Sequence, residues 1–331
     1  MQSTCRVIAE KNRTIPIIRM KKLFTTTAFA LILILNGCNP YGSPHKNLDT
    51  VTSGKIKIAV DESYKPIIAA QIDVFHSDYN DAHITPLYRS EKAALNALMQ
   101  DSVRVAIISR QLTHDETGFL KQQKIDPITV KVAKDAIALL VHPSKGSVNL
   151  TMAQVKGIFD GTFKTWSSVG VPGGVIRGVF DNPNSSSARY ISEKFLNGKP
   201  IPPTLFATQS TTDVLQYVSD NKDALGIIGV SWVSDLDDPT NPAFNKKVGV
   251  IGVANTAGDE FFQPFQAYIA QGTYPLTREL FMISRETYSG LGKGFSIFVA
   301  SDKGQRIFLK SGLVPATAPI RLIKTRSDPN Y

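Results

Sequence analysis

The chain has 331 residues and a formal net charge of +9, long enough for more than one compact lobe. Six of its basic side chains and one acid lie in residues 1–37, so the remainder carries 31 basic against 27 acidic groups, a net +4 that lacks the concentrated basic face nucleic acid requires. Two cysteines, Cys5 and Cys38, and five scattered histidines (His45, His76, His83, His114 and His142) exclude a disulfide framework and a metal site of cysteine or paired-histidine type, and no cofactor is implied.

In chain order, the first element is an export signal. Met20-Lys21-Lys22 is a short positive region, Leu23–Leu35 an apolar run, and Leu35-Asn36-Gly37-Cys38 a cleavage site ending in a thiol. The run is short for a membrane span and suited to a signal core. The reading is a signal peptide over 1–37 with its start at Met20, a lipid on Cys38, and a tether over 38–53 that is rich in Asn, Pro, Gly and Ser. No later run is long and apolar enough to cross a membrane.

Lys55–Val60 alternates polar and apolar residues as a strand does. Pro66 opens a helix with Ile67, Ala70, Val74 and Phe75 on one face. His83–Arg89 reads as a strand, Glu91–Met99 as a helix and Val103–Ile108 as a strand. Ile128–Val141 is a long β-rich stretch. Thr151 and Gln154 form a capping box ahead of Val155, Ile158 and Phe159. Val175–Asp181 is a strand, Ser186–Phe195 a helix, and Ser210–Asn221 another helix. Gly226–Val230 and Val248–Val253 are strands, with a polar loop over Asp235–Asn245 between them. Glu279–Ile283 is a strand, helices lie around Phe295–Val299 and Gly304–Lys310, and Lys324–Tyr331 is a frayed tail. The alternation predicts an α/β protein with a mostly parallel sheet flanked by helices.

Three turns lead from a strand into a helix: Asp61-Glu62-Ser63, Arg89-Ser90-Glu91 and Asn184-Ser185-Ser186-Ser187. In open α/β sheets ligands bind off the carboxyl ends of strands, where free N–H groups and serine hydroxyls suit an anion. Serine at such positions also caps helices, and one turn can do both. The candidate ligand-binding residues are Glu62, Ser63, Ser90, Ser109, Arg110, Asp181, Ser185, Ser186, Ser187 and Arg189. Arg110, Arg89 or Arg189 supplies the cation. Glu62 or Asp181 is a candidate to accept a proton from an anion that still carries one.

Six segments in order resemble one family. They are Ala106–Leu112 with its Ile108-Ser109-Arg110 turn, Val132–Pro143, Leu150–Trp166, Gly226–Val230, Tyr274-Pro275-Leu276-Thr277-Arg278, and Gly304–Pro315. The chain resembles the phosphate-binding proteins of ABC importers, which are type II periplasmic binding proteins. The resemblance implies a two-lobed fold, with lobe 1 over 55–136 plus 273–325 and lobe 2 over 137–272. It implies a monomer without catalysis that binds phosphate between the lobes and serves an ABC permease at the cell envelope. A different ligand or a sensor role on the same scaffold is the alternative, and an enzyme using Glu62 and Asp181 lacks a supporting motif. The chain departs from the family at the ligand: Asp181 stands where the family commonly has arginine, and the Gly-Ser-Gly-Thr turn reads Asn184-Ser185-Ser186-Ser187.

Overall fold

The computed structural model describes residues 49–197, 199–234 and 247–318. Cys38, the signal segment, the loop over 235–245 and the tail from Lys324 lie outside the described residues. Twelve strands are described: β1 Gly54–Asp61, β2 Ala82–Arg89, β3 Val105–Ile108, β4 Ile128–Val141, β5 Asn149–Thr151, β6 Arg177–Phe180, β7 Leu205–Ala207, β8 Ala224–Gly229, β9 Gly249–Val250, β10 Gly252–Ala254, β11 Thr277–Ser284 and β12 Val314–Pro315. Ten of them form one sheet ordered β2-β1-β3-β11-β4-β8-β6-β7, with β9 and β12 also paired to β4; β5 and β10 form a separate parallel pair.

Two runs of parallel strands flank a pair of antiparallel ones. β1 runs parallel to β2 and to β3, and β6 runs parallel to β7 and to β8. Between them β11 lies antiparallel to both β3 and β4. β4 joins the two halves. Its residues up to Ala136 pair with β11, and Ile137–Val141 pair with β8. Strand β8 is buried along its whole length, as expected of a strand covered on both faces. The α/β architecture expected from the sequence is therefore present.

Helices cover the sheet through narrow apolar stripes. The helix Lys65–Asp78 opens with Pro66 in its first turn and buries Ile67, Ile68, Ile72 and Phe75. Thr151 and Gln154 form the expected capping box: the Thr151 hydroxyl accepts from Gln154 N–H at 3.3 Å, and Thr151 N–H donates to Gln154 Oε1 at 2.8 Å. Ser185 and Ser210 likewise cap the helices Ser186–Ile191 and Thr211–Asp220. The stretch 186–195, read as one helix, is α-helical to Ile191 and continues as a π-helical turn over Ser192–Leu196. The stretch 248–253 divides at Ile251, whose N–H donates to Leu139 O, so β9 pairs with β4 while β10 pairs with β5.

Of the segment read as a tether, Asp49 and its neighbours are held in place. Asp49 Oδ2 accepts from Leu291 N–H and Oδ1 from the Tyr288 hydroxyl. Glu286 accepts from Gly292 and Lys293 N–H at 2.9 and 2.8 Å, so two carboxylates satisfy the first turn of the helix Leu291–Ala300. The helix approaches so closely that a Cβ on Gly294 would sit 1.8 Å from the Val51 carbonyl oxygen. Gly294→Ala is expected to lift residues 49–53 off this helix and to cost about 1–3 kcal/mol. Amide exchange at 50–53 rising with a lowered Tm checks this, and unchanged exchange refutes it.

Candidate functional site

The carboxyl ends of β1, β2, β3, β6 and β8 deliver the side chains of the candidate site. Asp61 ends β1, Ser90 and Glu91 follow β2, Ser109 follows β3, Asp181 follows β6, and Ser231 lies just beyond β8. Loops from the two halves of the sheet touch. The Ser63 hydroxyl donates to Asp181 Oδ2 at 3.3 Å and lies 3.3 Å from the Ser186 hydroxyl. Ser231 Oγ and Trp232 Nε1 both donate to the Ser63 carbonyl, at 3.1 and 3.0 Å. Lys92 N–H donates to Asn184 O at 3.2 Å.

One end of this cluster of loops is built around Glu91, which is 3 % exposed. Its Oε1 accepts from both the amide and the hydroxyl of Ser109 at 2.9 Å, and its Oε2 accepts from Arg189 Nε. Arg189 also donates to the Ser109 hydroxyl at 2.8 Å and to Glu193 at 2.6 Å. Burial pushes the Glu91 carboxyl up, but the hydrogen bonds and charge of Arg189 and the donors of Ser109 outweigh it and hold Glu91 below its ordinary range. A pocket of about 510 Å³ opens beside this pair and is lined also by Arg110, Glu116, Asn184 and Glu193.

The other end is built around Arg278 of β11, which lies opposite Asp135 in the β4 register. Arg278 Nε donates to Asp135 Oδ2 at 2.7 Å, Nη1 donates to the Ser186 hydroxyl at 2.9 Å, and the guanidinium lies over the Tyr64 ring. A Cβ on Gly229 would meet Arg278 Nη2 at 2.8 Å, so glycine makes room for the guanidinium. Burial works against the charge on Arg278, but Tyr64, Asp135 and Asp61 outweigh it and keep the group protonated beyond its ordinary range.

The carboxyls here are pushed the other way. Burial, then the charges of Glu91 and Asp181, raise Asp61 from 3.8 to about 7 against the pull of Arg278. Burial also raises Asp181, and it raises the half-buried Glu62, where Asp181 adds to the effect. Several buried polar atoms lack a hydrogen-bond partner: Asp61 Oδ2, Asp135 Oδ1, Asp181 Oδ1, the Ser187 and Tyr64 hydroxyls, and Arg278 Nη2. Proteins rarely leave so many such atoms in one neighbourhood, and a ligand site is one reason to do so.

The structure brings together Ser63, Asp181, Ser186 and, around Glu91, Ser109 and Arg189. Ser185 is spent on its cap, accepting from Ala188 N–H at 3.2 Å, and Ser187 is fully buried. Glu62 and Ser90 are partly exposed at the turns. Arg110, on the lining of the pocket beside Glu91, makes a bidentate pair with Glu116, both contacts at 2.7 Å, and Arg89 is exposed at the end of β2. Three side chains at the candidate site were not among the expected ligand-binding residues. Glu91 was read as part of the Arg89-Ser90-Glu91 turn and as a helix start, and Asp135 and Arg278 as members of motifs. Glu116 belongs to a capping box with Thr113, and Thr113-His114-Asp115-Glu116 is the sequence signal for the unread helix His114–Gln122.

Comparison with known proteins fits this geometry. The description "PBP superfamily domain" matches residues 47–303. The phosphate-binding protein PstS of Pseudomonas aeruginosa is 23 % identical over 285 residues, covering 81 % of this chain and 85 % of that protein. PstS of Staphylococcus saprophyticus is 24 % identical over 294 residues, covering 86 % and 88 %. Among solved structures, a phosphate ABC transporter substrate-binding protein with bound phosphate from Clostridium perfringens superposes with a TM-score of 0.67 at 22 % identity, over 79 % of this chain and 99 % of that one. An ABC-type phosphate transport receptor from Vibrio cholerae gives 0.60 at 22 % identity, over 79 % and 100 %. With a matched region spanning most of its length and the fold of these receptors, the chain belongs to the PBP superfamily.

Proposed function

We propose that this chain captures a small oxyanion, inorganic phosphate before others, in the crevice between two lobes and hands it to an ABC permease. Capture involves no bond-making or bond-breaking. The observation that carries the reading is the mixture of buried partnerless atoms around Ser63, Asp181, Ser186 and Arg278: donors at Ser187 and Arg278, acceptors at Asp61 and Asp181. Phosphate near neutral pH presents oxygens to accept and at least one proton to give, whereas sulfate has no proton and meets a carboxylate as a repelled charge. The relatives named as phosphate-binding proteins support the same ligand.

The lobes are read as 55–136 plus 273–325 and 137–272. The change of β4 from β11 to β8 as partner between Ala136 and Ile137 supports that boundary. A ligand touched from both sides favours the closed arrangement because only that arrangement makes all the contacts. Lipidation at Cys38 would hold the receptor on a membrane, facing the periplasm or the exterior, and loss of the protein from the membrane fraction in Cys38→Ser tests that anchor.

Calorimetry of the chain from residue 46 against phosphate, sulfate and a phosphonate tests the ligand. Phosphate is expected to give heat and sulfate none. Ser186→Ala removes a hydroxyl next to both Ser63 and Arg278 and is expected to weaken phosphate binding about tenfold. Absence of heat with every anion overturns the phosphate reading.

A further inference from the structure

We propose that Glu91 is a built-in competitor for the anion: its carboxylate fills an oxyanion subsite made by Ser109 and Arg189, and an external oxyanion reaches that subsite only by displacing it. The subsite has the parts an oxyanion needs. One backbone amide and one hydroxyl, both of Ser109, converge on Glu91 Oε1 at 2.9 Å, and a guanidinium closes on Oε2. Charged guests are held in this way by fixed N–H and O–H donors together with a forked cation. Glu91 and Ser109 come from the first half of the sheet and Arg189 from the helix after β6, so the internal carboxylate bridges the crevice as a bound guest does.

Two further features fit displacement rather than a permanent strut. Glu91 adds its charge to the buried neighbourhood of Asp61, so an anion arriving beside it is repelled until the carboxylate leaves. The pocket of about 510 Å³ beside the pair gives the side chain a place to go, with Arg110 and Lys92 on its lining. Glu91 is thereby a specificity residue. Monoanions too weak to compete are shut out, and an anion of higher charge with more acceptor oxygens exchanges for it.

The inference deepens the oxyanion reading and relies on it only for the identity of the displacing anion. Its test uses the full mature chain carrying Cys38→Ser, with Glu91→Ala as the variant and Glu91→Ser in its place should the alanine protein fail to fold. Formate and inorganic phosphate are added at millimolar concentration and Tm is followed. Formate, the smallest carboxylate, is expected to raise the Tm of the variant by several degrees, to leave the parent unchanged, and to lose its effect when Arg189→Ala is added. Phosphate is expected to bind the variant at least tenfold more tightly than the parent. Formate acting equally on parent and variant, or on neither, overturns the proposal. Formate rescue without phosphate binding to either protein keeps the subsite and removes phosphate as the ligand. Phosphate binding equally to both without formate rescue does the opposite.

Discussion

Arg278→Met is expected to lower stability by about 3–5 kcal/mol, which for a chain of this size is a fall in Tm on the order of 10 °C. Arg278 is 6 % exposed, and Asp135, with which it pairs, is fully buried. Removing the cation strands Asp135 as a buried unpaired charge and takes a donor from the Ser186 hydroxyl. Lysine should not rescue it, because one ammonium cannot reproduce a fork that reaches Asp135 through Nε and Ser186 through Nη1. Adding Asp135→Asn to Arg278→Met removes the stranded charge and is expected to recover about half of the loss. A double-mutant cycle in denaturant measures the coupling, and purely additive losses would show that the pair does not act as a unit.

The second large effect is in pH. Asp61 has its folded value raised from 3.8 to about 7, so the folded state keeps a proton that the unfolded chain has already released. The stability this group contributes is full below about 4 and is lost as the pH rises toward about 7. Asp61→Asn keeps an oxygen for the Ser63 amide, which now donates to Asp61 Oδ1 at 3.1 Å, and removes the charge. The variant is expected to match the parent near pH 4 and to exceed it by about 5 °C in Tm at pH 8. Subtracting the two curves removes the opposing contributions of groups held low, such as Glu91, Glu116 and Asp160. Parallel curves over this range would show that Asp61 titrates normally.

The fold was largely legible because its signals are local. Pro66 in the first turn, the Thr151–Gln154 capping box and the apolar alternation of 55–60 each act within a few residues. The site was legible in part. Serine-bearing turns at strand ends are a local signal, and Ser63, Ser186 and Ser109 lie in the crevice. What they meet is not local. An acid in the first turn of a helix is an ordinary complement to the helix dipole, so Glu91 gives no sign of a role until Arg189 arrives from 98 positions away. Arg278 reaches Ser186 only because the β4–β11 register sets it opposite Asp135. Arg110 lines the pocket beside Glu91, and the sequence did not show that Glu116, six positions on, is its nearer partner.

The order in which the strands are made bears on how the protein folds. β3 borders β1 on one side and β11 on the other, yet β11 is synthesised only after the whole of β4 through β10. Until then the buried run Val105–Ile108 presents an open edge, and β4 lacks its first partner. The amino-terminal half thus cannot complete itself early in translation. A chain with that property closes its central sheet only when its last long strand arrives, so its slow step is the pairing of segments far apart in sequence.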